Sequence, residues 1–179
     1  EADPHSIIIE NVEPLDNFGR EISAALEKYI FPLSPGIKIY FEPGRFIAMH
    51  STTILTRVMS IKNKGAIVDG GANMVGDFRF SEYSFAPLVN LNAPSQILNK
   101  KPIYGPLCHP SDLWGYSFFG KDIKKGDIIA VLNQGDYTFS YASRFIKPTA
   151  PYIILTEKNE LVIGKEKEKF EERYFGCKF

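Results

Sequence analysis

Three groups that can move protons lie close together in the sequence: the thiol of Cys108, the imidazole of His109 and the carboxylate of Asp112. They belong to the segment GPLCHPSD, in which two prolines restrict the backbone. A partly exposed thiol on a rigid loop is a competent acid. The chemistry indicated is general acid catalysis centred on Cys108.

The same segment allows other interpretations. Adjacent side chains diverge on an extended chain, so Cys108 and His109 are poorly placed to form a protease-like nucleophile and base. A metal site made of Cys108, His109 and Asp112 lacks a fourth ligand. A buried cysteine beside a surface histidine, with no catalytic function, stays open.

A second candidate is the sequence EPGR, in which Glu42, Gly44 and Arg45 follow an apolar run. Glycine lets a ligand approach the backbone, and the planar arginine fork suits a phosphate. The Glu42 carboxylate suits a cationic ring nitrogen. At the carboxyl end of a barrel strand, such a loop faces the active site. The alternative is a plain turn flanked by surface charges.

Tyr137 is a third candidate, because it follows a Gly-Asp turn and offers a hydroxyl group to a phosphate. A half-buried tyrosine in a strand is the alternative. The segment DGGAN at 69–73 lacks the glycine spacing of known phosphate-binding loops, and we interpret it as structural.

The predicted secondary structure around these residues changes near residue 45, from a helix and a strand to short β runs separated by turns. Apolar spacing predicts a helix over 18–31, capped by Asp16 or Asn17, and apolar alternation predicts a strand over 37–41. Beyond residue 46, short β-rich runs alternate with turns, which favours a β-barrel or sandwich. The charged tail, 165–173, is predicted to be a solvated helix. The β-rich runs are 46–61, 66–69, 78–80, 83–91, 103–105, 127–132, 136–142 and 152–156.

Composition excludes several functions. The 21 basic and 21 acidic residues balance, which disfavours binding to nucleic acid. No apolar run approaches the roughly 18 residues that cross a bilayer, so no membrane association is expected. Two distant cysteines form no disulfide framework or zinc motif and favour a reducing cytoplasm. The start, EADP, has neither Met nor a signal pattern and is expected to begin a fragment.

Taken in order, EPGR, DGG, GPxCxxxD and a Gly-Asp-Tyr turn resemble the group-IV decarboxylases of alanine-racemase-like fold, which act on ornithine, lysine, arginine and diaminopimelate. The resemblance implies pyridoxal 5'-phosphate (PLP) as cofactor. It also implies that the fold is mainly β. Residues 1–45 would end a truncated TIM-type α/β barrel, and residues 46–179 would form the C-terminal β-barrel or sandwich domain.

The family's functional residues can be placed on this sequence. Glu42 would pair with the PLP ring nitrogen, while Gly44, Arg45 and Tyr137 would bind the phosphate. Cys108 would protonate the substrate carbon after CO2 leaves. In the family the cysteine loop belongs to the partner subunit, so a homodimer with shared active sites is expected, with Asp112 at that interface beside the substrate.

Two departures concern the residues beside these positions. His109 stands where the ornithine enzymes have Asp and the diaminopimelate enzymes have Glu. Because imidazole is a poor partner for an ammonium group but a reasonable one for a carboxylate, we expect a carboxylated or conjugated amine substrate. Asp136 replaces a common Ala, and its charge would weaken phosphate binding unless it points away.

The chain also lacks a lysine in the context that carries the cofactor in the family, which lies upstream in the barrel. We therefore expect this chain alone to be inactive and the complete protein to be a PLP-dependent carboxy-lyase. The alternative is a non-catalytic homologue, similar to antizyme inhibitors, that acts by protein–protein association.

Overall fold

The computed structural model describes residues 13–76 and 86–178. The chain divides into two compact units, Glu1–Gly44 and Arg45–Phe179. The division falls one residue before the boundary expected from the sequence. None of the helices in the described ranges is long and apolar enough to cross a membrane.

In its described residues, 13–44, the first unit contains the helix α1 over Leu15–Ala25, which continues as a π-helical turn over Leu26–Ile30. The predicted helix is thus confirmed, but the predicted cap is wrong. Pro14 occupies the N-cap position, and Asp16 lies in the first turn, where its charge favours the helix dipole. Beyond the helix, Gly36 has φ +89°, a left-handed conformation that favours glycine.

The predicted strand over 37–41 is wrong, since these residues form no strand in the structure. A strand requires a neighbour that accepts and donates backbone hydrogen bonds. All described strands lie in the second unit. Residues 37–41 therefore have the apolar alternation of a strand but no described strand to pair with. Ile37 and Ile39 remain exposed.

The start of the predicted β run at 46–61 is also wrong. Helix α2 covers Gly44–Ala48, and a 3-10 turn covers Met49–Ser51. A tertiary contact accompanies this turn: Gly135 donates its amide to Met49 O at 3.0 Å. A Cβ at Gly135 would lie 1.7 Å from Ala48 O, so this approach requires glycine.

The second unit is built on an eight-stranded sheet in the order β4-β7-β3-β8-β1-β2-β5-β6, and β9 and β10 form a separate hairpin. A short helix, α3, follows at Phe170–Arg173. The strands are β1 Ile54–Lys62, β2 Gly65–Val68, β3 Leu88–Asn90, β4 Leu98–Asn99, β5 Ile103–Tyr104, β6 Leu113–Gly115, β7 Phe118–Phe119, β8 Ile128–Val131, β9 Tyr152–Leu155 and β10 Leu161–Lys165.

The hydrophobic core is formed mainly by residues of this sheet's strands. Strand β1 alternates between buried residues such as Ile54 and Val58 and exposed ones such as Leu55, as expected for a half-buried strand. Trp114 and Phe118, from the aromatic run after Cys108, are buried in the same cluster. Removal of this apolar area from water supplies the main stabilisation of the unit.

Three other expectations differ from the structure or lie outside it. The predicted strand over 136–142 is wrong: its residues form turns, and Tyr137 has φ +53°, which interrupts a strand. The predicted tail helix over 165–173 is reduced to Phe170–Arg173: Lys165 pairs with β9, and residues 166–169 form neither helix nor strand. The run 78–80 and the first part of 83–91 lie outside the described residues.

Candidate active site

The parallel pairing of β2 with β5 brings two loops to the same edge of the sheet. Residues 69–73, which we name the anchor turn, follow β2, and residues 105–112, the cysteine loop, follow β5. Because the carboxyl ends of parallel strands meet at one edge, the two loops lie side by side. Strands β5 and β6 pair antiparallel, so the cysteine loop is the connection of a hairpin.

Cys108 is an exposed free thiol on the cysteine loop. The interpretation of a buried cysteine is therefore wrong. An exposed thiol can reach a ligand, whereas a buried thiol in apolar surroundings is inert.

Asp112 lies beneath this loop, with 4% of its surface exposed. Its Oδ1 accepts a hydrogen bond from Ala72 N at 2.7 Å, and its Oδ2 accepts one from Leu107 N at 2.6 Å. Its backbone carbonyl also accepts from Gly105 N at 2.9 Å. The carboxylate thus joins the anchor turn to both ends of the cysteine loop.

The two carboxylate oxygens fit closely between glycines. A Cβ on Gly105 would lie 2.2 Å from Asp112 Oδ1, and a Cβ on Gly71 would lie 2.8 Å from the same atom. Such separations are far inside van der Waals contact. The glycines of the GP and DGG motifs therefore leave space for the carboxylate.

The anchor turn is itself held at two further points. Asp69 Oδ1 accepts a hydrogen bond from Arg57 N at 2.8 Å, and Gly70 O accepts one from Trp114 Nε1 at 2.8 Å. Both contacts come from strands of the sheet. The turn that the sequence suggested to be structural is thus the fixed base of the cysteine loop.

His109 is partly exposed, and its neighbours orient the ring. Its Nδ1 accepts a hydrogen bond from Ser111 N at 3.1 Å, and its ring packs edge-on against Phe145 with centroids 6.2 Å apart. A nitrogen that accepts from a backbone amide carries no proton, so a neutral ring has its hydrogen on Nε2. Nδ1 is also not available as a base toward Cys108.

Tyr137 lies in the turn after β8 and is 55% exposed, with φ +53°. A bulky side chain in this region costs about 1–3 kcal/mol and persists only where surrounding contacts impose it. Here Thr138 Oγ1 bonds to Gln134 O and Ser140 Oγ bonds to Tyr137 O. Asp136 is buried, at 4% exposure, so its carboxylate lies inside the domain while the tyrosine faces out.

The remaining sequence candidates lie around the boundary of the two units. Glu42 is exposed, and Gly44 begins helix α2. Arg45 continues that helix, but its side chain lies outside the described part of the structure. A shared cofactor site for Glu42, Gly44, Arg45 and Tyr137 stays a prediction.

Sequence reasoning missed a buried carboxylate in the tail. Glu168 was assigned to a charged, solvated segment, yet its side chain is 3% exposed and pairs with Arg144. Nothing in the local pattern distinguishes it from the exposed Glu166 two residues earlier. Within 13–76 and 86–178, no three His, Cys, Asp or Glu side chains form a candidate metal site.

No protein-family model matches the sequence. The chain is 29% identical to diaminopimelate decarboxylase from Methanothermobacter thermautotrophicus, over 89% of this chain and 39% of that protein. It is 29% identical to lysine/ornithine decarboxylase from Selenomonas ruminantium, over 76% of this chain and 35% of that protein. The chain therefore spans about two fifths of the length of its relatives or less.

The solved structures that this chain resembles include the same two kinds of enzyme. The crystal structure of diaminopimelate decarboxylase from Helicobacter pylori, complexed with L-lysine, superimposes with a TM-score of 0.75 and 26% identity, over 92% of this chain and 40% of that one. Lysine/ornithine decarboxylase from Vibrio vulnificus, complexed with cadaverine, gives 0.59 and 25%, over 76% of this chain and 36% of that one. The predicted fold class and the resemblance to group-IV decarboxylases are confirmed.

Proposed function

We propose that this chain, whose relatives are diaminopimelate and lysine/ornithine decarboxylases, is the C-terminal portion of a PLP-dependent amino-acid decarboxylase. The complete enzyme would remove the α-carboxylate of a basic or conjugated amino acid as CO2 and yield an amine. The observation that carries this proposal is the exposed Cys108 thiol on a loop anchored at both ends, within a fold shared with these enzymes.

Cys108 would supply the proton that replaces the departed carboxylate. Its Sγ–H is donated to the α-carbon of the substrate, and the thiolate is then reprotonated from solvent. A general acid must lie within hydrogen-bonding reach of its target, so the loop has to present the thiol in one position. We assign this positioning to Asp112, in place of the substrate contact that the resemblance implies, because its carboxylate is buried and accepts hydrogen bonds from Leu107 N and Ala72 N.

The residues at hand fit PLP by their chemistry. The Glu42 carboxylate can accept a hydrogen bond from the protonated ring nitrogen, and Gly44, Arg45 and the exposed Tyr137 hydroxyl can bind the phosphate. Asp136 is buried, and the proposal requires its carboxylate to point away from the phosphate. When bound, PLP supplies an electron sink for the bond that breaks.

We further propose that the enzyme is a homodimer in which the cysteine loop completes the partner's active site. An exposed thiol on a loop at the sheet edge suits a group that reaches outward from its own subunit. The lysine that carries the cofactor would come from the barrel half of the full-length protein.

The test is an assay of CO2 release with the full-length protein, PLP and a panel of diaminopimelate, lysine, ornithine, arginine and amino acids whose distal amine carries a conjugated carboxylate. We expect turnover of at least one substrate at about 1–10³ s⁻¹, the usual range of enzymes. The 179-residue chain alone should release none. Absence of turnover from the full-length protein with the whole panel, including amines that carry a conjugated carboxylate, would favour the non-catalytic homologue instead.

The second test concerns the substrate's distal end. We propose that His109 contacts it and selects a tail with a hydrogen-bond acceptor, such as a carboxylate, because the ring holds its hydrogen on Nε2. His109→Asp should lower the KM for lysine or ornithine about tenfold or more, since a hydrogen bond to a charged group contributes about 1.5–3 kcal/mol.

The matched control for this test is His109→Asn, which has similar size but no charge to attract an ammonium group. It should leave the KM for lysine and ornithine high. If His109→Asp leaves both the KM and the order of substrates unchanged, His109 does not contact the substrate tail.

A further inference from the structure

Glu168 is a buried carboxylate in an otherwise exposed part of the chain. It is the one buried residue in the stretch 161–170. Its Oε2 accepts a hydrogen bond from Thr149 N at 2.9 Å, and its Oε1 lies 2.6 Å from Arg144 Nε in an ion pair. Burying a charge costs free energy, and the hydrogen bond and the ion pair offset that cost. Glu168 therefore fixes the segment that supplies both partners.

Two other side chains of the tail grip the same segment, residues 144–149, which we name the strap. The Arg173 guanidinium donates to Arg144 O and Ile146 O. Lys165 Nζ donates to Thr149 Oγ1 at 3.0 Å. Three residues of the tail therefore bind the strap, and Glu168 is the buried member among them.

The strap in turn touches the cysteine loop and the anchor turn. The Phe145 ring packs against His109, with centroids 6.2 Å apart. Lys147 Nζ donates to Asp69 O at 3.3 Å, and Asn73 Nδ2 donates to Pro148 O at 3.3 Å. One side of the strap thus faces the tail, and the other faces the base and the exposed part of the cysteine loop.

We propose that Glu168 is a positioning residue for the cysteine loop. It fixes the strap from the tail side, and the strap then restricts His109 through Phe145 and the anchor turn through Lys147. The neighbouring Cys108 is thereby presented in one conformation. The catalytic consequence rests on the proposed function, whereas the conformational link does not.

Arg144 is the exposed half of the ion pair, at 55% side-chain exposure, whereas the Glu168 side chain is 3% exposed. Loss of the Glu168 charge leaves Arg144 solvated. Loss of Arg144 instead leaves a buried carboxylate with one fewer partner. Both changes loosen the strap, but by different routes, so each can test the proposal when the other fails to fold.

The experiment measures hydrogen exchange by mass spectrometry in the full-length protein. Glu168→Gln keeps the size of the side chain and removes its charge, and Glu166→Gln is the control at an exposed neighbouring carboxylate. We expect amides of the strap and of residues 105–112 to exchange about fivefold faster in Glu168→Gln, the factor that corresponds to about 1 kcal/mol. Amides of β8 and the whole of Glu166→Gln should match the wild type.

If Glu168 only stabilised the domain as a whole, Glu168→Gln would accelerate exchange throughout the sheet, β8 included. That result would overturn the proposal, and so would unchanged exchange in residues 105–112. If Glu168→Gln does not fold, Arg144→Gln is measured in its place, and unchanged exchange in the cysteine loop then overturns it.

Activity is recorded separately. The kcat for decarboxylation should fall about fivefold in Glu168→Gln and stay at the wild-type value in Glu166→Gln, because the acid is displaced in a fraction of molecules. A wild-type protein without decarboxylase activity would refute the proposed function, while the exchange pattern would still decide whether Glu168 positions the loop.

Discussion

Replacing Cys108 with serine in the full-length protein is expected to lower kcat for amine formation by about 10²- to 10⁴-fold, the usual contribution of a general acid. A hydroxyl group has nearly the shape of a thiol but is a much weaker acid. Binding of PLP should be unchanged, because Cys108 is assigned to the proton and not to the cofactor. Steady-state kinetics together with a titration of PLP binding measure both.

The chain supplies a matched control in Cys177, which is also a free, exposed thiol. Cys177→Ser should retain full activity. If Cys108→Ser keeps kcat close to the wild-type value, the proton comes from another group, and the assignment of the exposed loop as the catalytic element is wrong.

The second large effect is expected for Asp112→Asn. The carboxylate accepts hydrogen bonds at both oxygens, from Ala72 N and Leu107 N. An asparagine amide has one oxygen and one NH2 group, so one of these two amides loses its acceptor in a buried site. We expect a loss of about 1–3 kcal/mol in unfolding free energy. A shift of the urea midpoint at constant slope measures this loss.

The same substitution at Asp122, whose side chain is 62% exposed, should change stability by no more than about 0.5 kcal/mol. The kcat of Asp112→Asn should also fall, because the base of the cysteine loop loosens. A variant with wild-type stability and activity would show that Asp112 does not anchor this loop.

Local sequence patterns predicted secondary structure correctly where it depends on the residues of a single helix or strand. The later part of the β-rich run predicted over 46–61 is strand β1, in which residues such as Ile54 and Val58 are buried. The apolar spacing that predicts a helix over 18–31 likewise lies within one element, and the structure has helix over 15–30. The loop that carries Cys108 was predicted from its motif, whereas the exposure of the thiol came from the structure.

Sequence patterns gave wrong predictions where the local structure depends on contacts with another segment of the chain. Residues 37–41 alternate as a strand does, but no described neighbour completes a ladder. Tyr137 has a strand-forming side chain, but it lies in a left-handed turn, where Ser140 Oγ donates to its carbonyl and Thr138 Oγ1 donates to Gln134 O. The intrinsic preference of a residue type for strand structure is weak compared with such tertiary contacts.

The sequence by itself determined the mainly β class, the order of the motifs and the resemblance to group-IV decarboxylases, because these depend on residue type and spacing. Only the tertiary structure decided what the acidic residues do. Asp112 binds Ala72, forty positions away, and Glu168 binds Thr149 across nineteen. A buried carboxylate is defined by the donors around it, and those donors come together only when the parallel pairing of β2 with β5 and the turns beyond the sheet are formed.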